Sequence, residues 1–401
     1  MDLALTEHQR QLKTTAREFM ARECPRSVLL ELNASETGYD SGIWEKAAEI
    51  GFLGALIPER HGGTGGSFMD TAIIYEEFGK GPLPGPYFSS AVLGNLVVQE
   101  CATENQKAEL LPRLASGEEV LVLALTEQRY GWEPGTVSLR AERRGDHFVL
   151  NGAKVFVHDA LSASKFLCVA RVGRAGNSED DLAIFIVDAE AGGVSRRHVV
   201  GFGGNVGEIK FDDVEVPVSA EFTGSSDSWQ GLERAIHQAI PILSAYKAGA
   251  CEAVFQMSFE YSRSRIAFGV PIGRFQRVQD HIIEVCNRMD AARWTTYEAL
   301  WKLDTGPKAA TSVHLAKVVA SEGYYHACNF AHEAHGGIGT SHEYGLTLHT
   351  EMSRSLYHYL GSPLFHRRRM VQALLASESG SAHDVDGSAP AGPAQSTPMQ
   401  R

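Results

Sequence analysis

Six histidines, His332, His335, His342, His349, His358 and His366, crowd the last part of this chain. Histidine there can move protons near neutral pH or bind a metal. The metal reading lacks its pattern. In His332-Glu333-Ala334-His335 the second histidine comes one position too early for the H-E-x-x-H zinc motif. No cysteine or carboxylate spacing completes a site, so no metal is expected. Glu252 and Glu351 are candidates for general-base work, for which apolar surroundings would have to raise the carboxylate pKa. Glu351 reads as a solvated or paired helix residue, and Glu252 follows a run of small residues over 245–250. Cys24, Cys101, Cys168, Cys251, Cys286 and Cys328 form no C-x-x-C pair and read as reduced core thiols. Gly201-Phe202-Gly203-Gly204-Asn205-Val206-Gly207 leads into a strand with no helix after it, so it is not a dinucleotide fingerprint. Arg367-Arg368-Arg369 reads as a solvated helix end.

The elements that must carry these groups follow from periodicity. Thr6 with Gln9 three residues later reads as a capping box, and Leu12, Ala16, Phe19 and Met20 recur at helical spacing. Further helices are expected over 44–51, 70–78, 91–101 and 105–115. Strand signals take over with the apolar run 120–125. The stretch from His147 to Val157 reads as a hairpin turning at Asn151-Gly152, and 166–171, 182–187 and 208–216 read as more strands. Residues 224–228 form a linker and helix start. From Gly231 to Leu375 the helical period returns, with Val313, Lys317, Ala320, Tyr324 and Cys328 as one stripe. After Ala376 the Ser, Gly, Ala and Pro content predicts disorder. The expected architecture is α+β: a helical domain over 1–119, a β domain over 120–225, a helical bundle over 226–376 and a tail over 377–401.

Bulk composition is compatible with this. The chain has 401 residues, 43% hydrophobic and 21% charged, enough for two or three domains. A formal net charge of −12 argues against nucleic acid or anionic membrane as partners. No basic, then apolar leader and no apolar run of about 18 residues is seen, which points to a cytoplasmic protein.

Several short motifs, in order, make the chain resemble the acyl-CoA dehydrogenase family over about residues 1–376. Pro58-Glu59-Arg60-His61-Gly62-Gly63 is similar to that family's P-E-x-x-G-G turn. Leu111-Pro112-Arg113-Leu114-Ala115-Ser116-Gly117 is similar to its L-P-x-L-A-x-G segment. Thr126-Glu127, the strand from Phe211 to Pro217, Arg265-Ile266-Ala267-Phe268-Gly269 with Gln276, and His335-Gly336-Gly337-Ile338-Gly339 match four more.

The resemblance implies a three-part fold, with N-terminal helices, a middle β-barrel or sandwich and a C-terminal four-helix bundle. It implies FAD bound between the β domain and the C-terminal helices, across a subunit interface. By position, Thr126 would lie at the flavin edge, Phe156 against the ring system and His158 beside it. Arg265 would pair with the pyrophosphate of FAD in the adjacent subunit, Phe268 and Gln276 would contact the same cofactor, and Gly336 and Gly337 would let the backbone come close. Plainer readings stand beside these: a sheet-edge threonine, a core phenylalanine, a solvated arginine and helix-capping glycines.

The implied reaction is α,β-desaturation of an acyl-CoA thioester, within lipid metabolism. A carboxylate takes the α-proton, and an electron-transfer acceptor reoxidises the flavin. This chain departs from the family where that carboxylate belongs. The Y-E-G-T tetrapeptide reads Tyr359-Leu360-Gly361-Ser362, and the alternative base position on an earlier helix falls at Ala239, followed by Ile240. Trp132 replaces a serine that helps to bind acyl-CoA. Glu333 replaces a glutamine near the pyrophosphate, and Glu343 matches a structural position. The catalytic residue is therefore left unassigned. The segment 126–171 resembles members that work as pairs of unlike chains, so a hetero-oligomer (a dimer or tetramer with a related dehydrogenase chain) is the leading expectation. A homo-oligomer with an unrecognised base, a flavin-dependent monooxygenase of the same fold and a flavin-free scaffold are the alternatives.

Overall fold

The structure, a computed structural model, describes residues 4–172, 181–201, 205–225, 227–306 and 309–383. Helices come first: α1 (Glu7–Glu23), α2 (Arg26–Ala34), α3 (Ser41–Glu49), α4 (Phe68–Lys80), a π-helical turn (Ser89–Gly94) running into α5 (Asn95–Cys101), and α6 (Glu104–Ala115). Their starts follow local chemistry. The Thr6 hydroxyl accepts from the Gln9 amide while the Gln9 side chain accepts from the Thr6 amide, and Ser67 and Thr103 build the same reciprocal cap.

Seven strands then form one mixed sheet: β1 (Leu121–Ala124), β2 (Arg140–Arg144), β3 (His147–His158), β4 (Lys165–Val172), β5 (Leu182–Asp188), β6 (Val194–His198) and β7 (Val206–Pro217). The order is β1-β4-β2-β3-β7-β6, with β5 on the other side of β4. The hairpin expected at Asn151-Gly152 does not form. β3 runs straight through this dipeptide and pairs with β2 and β7, and the chain reverses instead near Gly145, whose φ is 68°. Gly152 absorbs a register shift in the β3–β7 ladder, so its conformational freedom serves a bulge and not a turn. Within the glycine-rich run, Phe202, Gly203 and Gly204 lie outside the described residues, as does Ser226 of the linker.

The last part is α7 (Ser228–Ser264), a short hairpin of β8 (Ile266–Ala267) and β9 (Val270–Pro271), α8 (Gln276–Thr305), α9 (Ala310–His335), α10 (Leu346–Ser355) and α11 (Pro363–His383). α11 continues seven residues beyond Ala376, where disorder was expected. Helical propagation from its packed first turns carries it on. The rest of that predicted tail, 384–401, lies outside the described residues.

The run of small residues in α7 now has a reason. A Cβ on Gly249 would stand 1.9 Å from the Glu76 carbonyl oxygen, and one on Gly79 would stand 1.8 Å from that of Tyr246. α4 and α7 thus meet backbone to backbone, which locks the N-terminal helices onto the C-terminal bundle. The arginine run at the start of α11 is not simply solvated. Arg367 pairs with Glu322 at 2.7 Å and Arg369 with Glu233 at 2.5 Å, tying α11 to α9 and α7.

Candidate functional site

A bulge in β3 builds the first wall of the site. Between Lys154 and Val157, β3 holds one residue more than β7, and Phe156 takes a left-handed φ of 55° there. A bulge re-aims the side chain it carries. The Phe156 ring is half-exposed, at 50%, and meets the edge of Tyr130 at 5.8 Å, so it is not a core residue. Thr126 pins the bulge: its carbonyl accepts from the Val155 amide at 2.8 Å and its hydroxyl donates to the Val155 carbonyl. The adjacent Glu127 is buried, but for structural reasons. It accepts from Lys154 Nζ at 2.8 Å and from the amides of Ser138 and Leu139. Burial would raise its pKa, but Lys154 and these donors hold it below the usual carboxylate range.

His158 ends β3 and stacks on Tyr359, with centroids 3.8 Å apart and planes 27° apart. Burial, helped by the charge of Lys247, brings the His158 pKa down to about 4, so its ring is neutral at neutral pH. Tyr359 also meets Phe88 and Trp132 edge-on at 5.7 and 6.1 Å. Together Phe156, His158, Tyr130, Trp132, Arg354 and Tyr359 line a cleft of about 430 Å³.

Two buried lysines hold the turn that presents Tyr359. Lys247 donates to the Leu356 carbonyl and to the Ser321 hydroxyl, both at 2.9 Å. Lys317 donates to that hydroxyl at 3.0 Å and to the Tyr357 carbonyl at 3.3 Å. Burial lowers both pKa values, Lys317 to about 7 and Lys247 well below its ordinary value, where the neighbouring Lys317 adds to the effect. Lys317 was visible in the sequence only as a lysine inside an apolar stripe.

Arg265, Phe268, Gln276, Gly336 and Gly337 do not line this cleft; all are exposed. Arg265 caps the end of α7, Gln276 opens α8 and the glycines follow α9. Phe268, at the tip of the β8–β9 hairpin, is 96% exposed with φ 51° and meets Phe275 edge-on at 6.0 Å.

Three family models match the chain in order: the N-terminal domain of acyl-CoA dehydrogenases over residues 6–118, the middle domain over 122–214 and the C-terminal domain over 230–375. The chain belongs to the acyl-CoA dehydrogenase family. A relative from Bacillus subtilis (strain 168), named probable acyl-CoA dehydrogenase YngJ, is 28% identical over 354 residues, covering 86% of this chain and 92% of its own. The caffeyl-CoA reductase-Etf complex subunit CarC of Acetobacterium woodii is 28% identical over 346 residues, covering 84% and 90%. A chain of the ChsE4-ChsE5 complex from Mycobacterium tuberculosis superposes with a TM-score of 0.82 at 23% identity, covering 94% of this chain and 99% of that one.

Membership makes the chain an oxidoreductase acting on CH–CH groups, with FAD as its cofactor. The cleft fits a flavin: the rings of Phe156, Tyr130 and Trp132 give it flat walls suited to a planar ring system. The positions where the resemblance puts a carboxylate hold apolar side chains. Leu360 is buried with φ 60°, and Ala239 and Ile240 are buried on α7. The other acids are engaged. Glu252 pairs with Arg293 at 2.6 Å and Lys80 at 3.1 Å, which outweigh burial and keep its pKa low. Glu351 accepts from Asn33 at 2.7 Å. Glu343 is exposed and held low by the Ser341 hydroxyl. Among the described residues no His, Cys, Asp and Glu cluster could hold a metal, and no helix is long and apolar enough to cross a membrane.

Sequence reading missed His237 and His314. With His366 they line a neighbouring cavity of about 530 Å³ that also contains Leu360 and Trp132. Their signal is weak because they sit on three helices far apart in sequence.

Proposed function

We propose that this chain is a subunit of an acyl-CoA dehydrogenase that introduces or removes an α,β double bond in an acyl-CoA thioester. We further propose that it works in an oligomer with a related chain, without the family's glutamate. The observation that carries this reading is Leu360, buried in a left-handed turn where the carboxylate belongs, directly after the Tyr359 that closes the aromatic cleft. A bound FAD would supply the acceptor for the hydride leaving the β-carbon. The chain's own residues do the rest. Phe156 and the Thr126-pinned bulge pack and orient the ring system. His158, held neutral by burial, offers it a hydrogen-bonding edge. Trp132 and Tyr359 exclude water from the reacting face.

Arg265, Phe268, Gln276, Gly336 and Gly337 then belong to the cofactor site of the adjacent subunit. Two features support this. Arg265 forms no ion pair among the described residues, as suits a guanidinium kept for a pyrophosphate. The Phe268 ring, almost wholly in solvent, is a second mark of a covered surface. The named relatives include a subunit of an Etf complex and a complex of two unlike chains. They support an electron-transfer flavoprotein as acceptor and a dehydrogenase-like chain as partner.

The test is co-expression with a neighbouring dehydrogenase-like chain, followed by native mass and an absorbance spectrum. A mixed complex carrying bound flavin that acyl-CoA bleaches is expected. A chain that purifies alone and reduces its flavin with acyl-CoA at an unchanged rate removes the need for a partner.

A further inference from the structure

Beside Leu360, three histidines from three helices meet in one cavity: His237 of α7, His314 of α9 and His366 of α11. His366 is 1% exposed and its Nε2 lies 2.8 Å from the Leu360 carbonyl. Its Nδ1 lies 3.0 Å from His314 Nδ1. The turn is shaped around this contact. A Cβ on Gly361, whose φ is 107°, would stand 2.7 Å from His366 Nε2. His237 meets His314 edge-on at 5.8 Å, and its own buried Nε2 has no hydrogen-bond partner.

The hydrogen bonds settle the tautomers. A carbonyl only accepts, so His366 Nε2 carries the proton. A neutral imidazole has one N–H, so His366 Nδ1 is an acceptor. His314 Nδ1 must then donate to it, which leaves the lone pair of His314 on Nε2. That nitrogen has no hydrogen-bond partner among the described residues, and His314 lines the cavity. Burial, with His237 and Arg369 nearby, lowers the His314 pKa to about 4, so the lone pair is free at neutral pH. A ring held by a second residue with its free nitrogen in a cavity is the arrangement of an oriented general base.

We propose that His314, aligned by His366 and the Leu360 carbonyl, is this chain's own proton acceptor for the α-carbon of an acyl-CoA thioester seated in the cavity. The proposal rests on reading this region as an acyl-CoA site. In the step, the Cα–H bond breaks, the proton goes to His314 Nε2, and the electron pair moves into the enolate with its charge on the thioester oxygen. The reverse step returns the proton. No oxidant is needed. His314 is the catalytic residue and His366 a positioning residue. The cavity has one apolar side, from Ile236, Ile240 and Leu360, and a charged side, where Glu233 is paired with Arg369 and Arg234 stands nearby; Trp132 is shared with the aromatic cleft.

The test separates proton removal from oxidation. Purified holoprotein is incubated in heavy water with an acyl-CoA whose β-methylene is replaced by sulfur, so that no hydride can leave. Deuterium at the α-carbon is followed by mass spectrometry, and ligand binding by the perturbation of flavin absorbance. Exchange by the wild type is expected, and a drop of about 100-fold or more in His314→Gln with ligand binding retained. Unchanged exchange in His314→Gln overturns the proposal. So does a wild type that binds the ligand without exchange, an outcome that leaves the acyl-CoA reading standing. Failure of the wild type to bind the ligand sinks both readings. A nitrogen-15 spectrum of the wild-type imidazoles is independent of variant folding. His314 protonated on Nδ1 is expected, and protonation on Nε2 would overturn the proposal.

Discussion

Asp159 shows how much one position beside the cleft can cost. It is buried, has a left-handed φ of 58° and is bonded by the Ser89 hydroxyl, yet burial raises its pKa to about 6. The unfolded value is about 3.9. The native state therefore prefers the protonated form. Below about pH 4 the penalty is absent; it grows as pH rises to about 6 and is constant above. Two pH units correspond to about 3 kcal/mol. Asp159→Asn keeps the shape, tolerates the left-handed backbone and removes the charge. The variant should melt higher than the wild type at about pH 7, and the gap should close on acidification to about pH 4. Thermal melts across this range check it; a wild type that is the more stable at neutral pH contradicts the account. Asp159 gave no warning in the sequence, because an aspartate after a strand reads as a surface turn until the π-helical segment is packed on it.

At the scale of elements, the ion pair of Lys154 and Glu127 ties β3 to the segment after β1. Lys154 is fully buried and also donates to the Leu125 carbonyl at 3.1 Å. Removing one partner strands a buried charge, which costs about 3–5 kcal/mol. Lys154→Met should lose that much in urea unfolding, and the double change with Glu127→Gln should recover part of it. Loss of less than about 1 kcal/mol in Lys154→Met would mean that the Ser138 and Leu139 donors carry Glu127 alone. The sequence held Thr126-Glu127 as a motif but could not say that its glutamate braces the sheet. Strand period was legible at β4, β5 and β7. The Asn151-Gly152 pair misled because a turn signal competes with two neighbouring strands, and the ladder on both sides won.

For the whole molecule, the exposed β8–β9 hairpin is the part that a single chain leaves unexplained. Ile266, Phe268 and Phe275 all stand in solvent there. Phe268→Asp should leave the melting of the isolated chain unchanged while lowering the native mass and the retained flavin. Size-exclusion with light scattering and absorbance on the same sample read both. A variant that assembles and holds flavin like the wild type would remove Phe268 from the interface. The net charge of −12 is compatible with such assembly if the apolar tip forms the contact.

The order of helical and β regions, the Thr6 cap and the family motifs were legible from the sequence alone, since each depends on residues a few positions apart. Leu360 and Ala239, where the resemblance puts a carboxylate, were legible too. What took its place was not. His237, His314 and His366 become one cluster only when α7, α9 and α11 pack together, and the direction of their hydrogen bonds follows from a single carbonyl at Leu360. Spacing along a chain fixes which side chains share a helix face; contact between helices, and the protonation states it imposes, arises only from the tertiary fold.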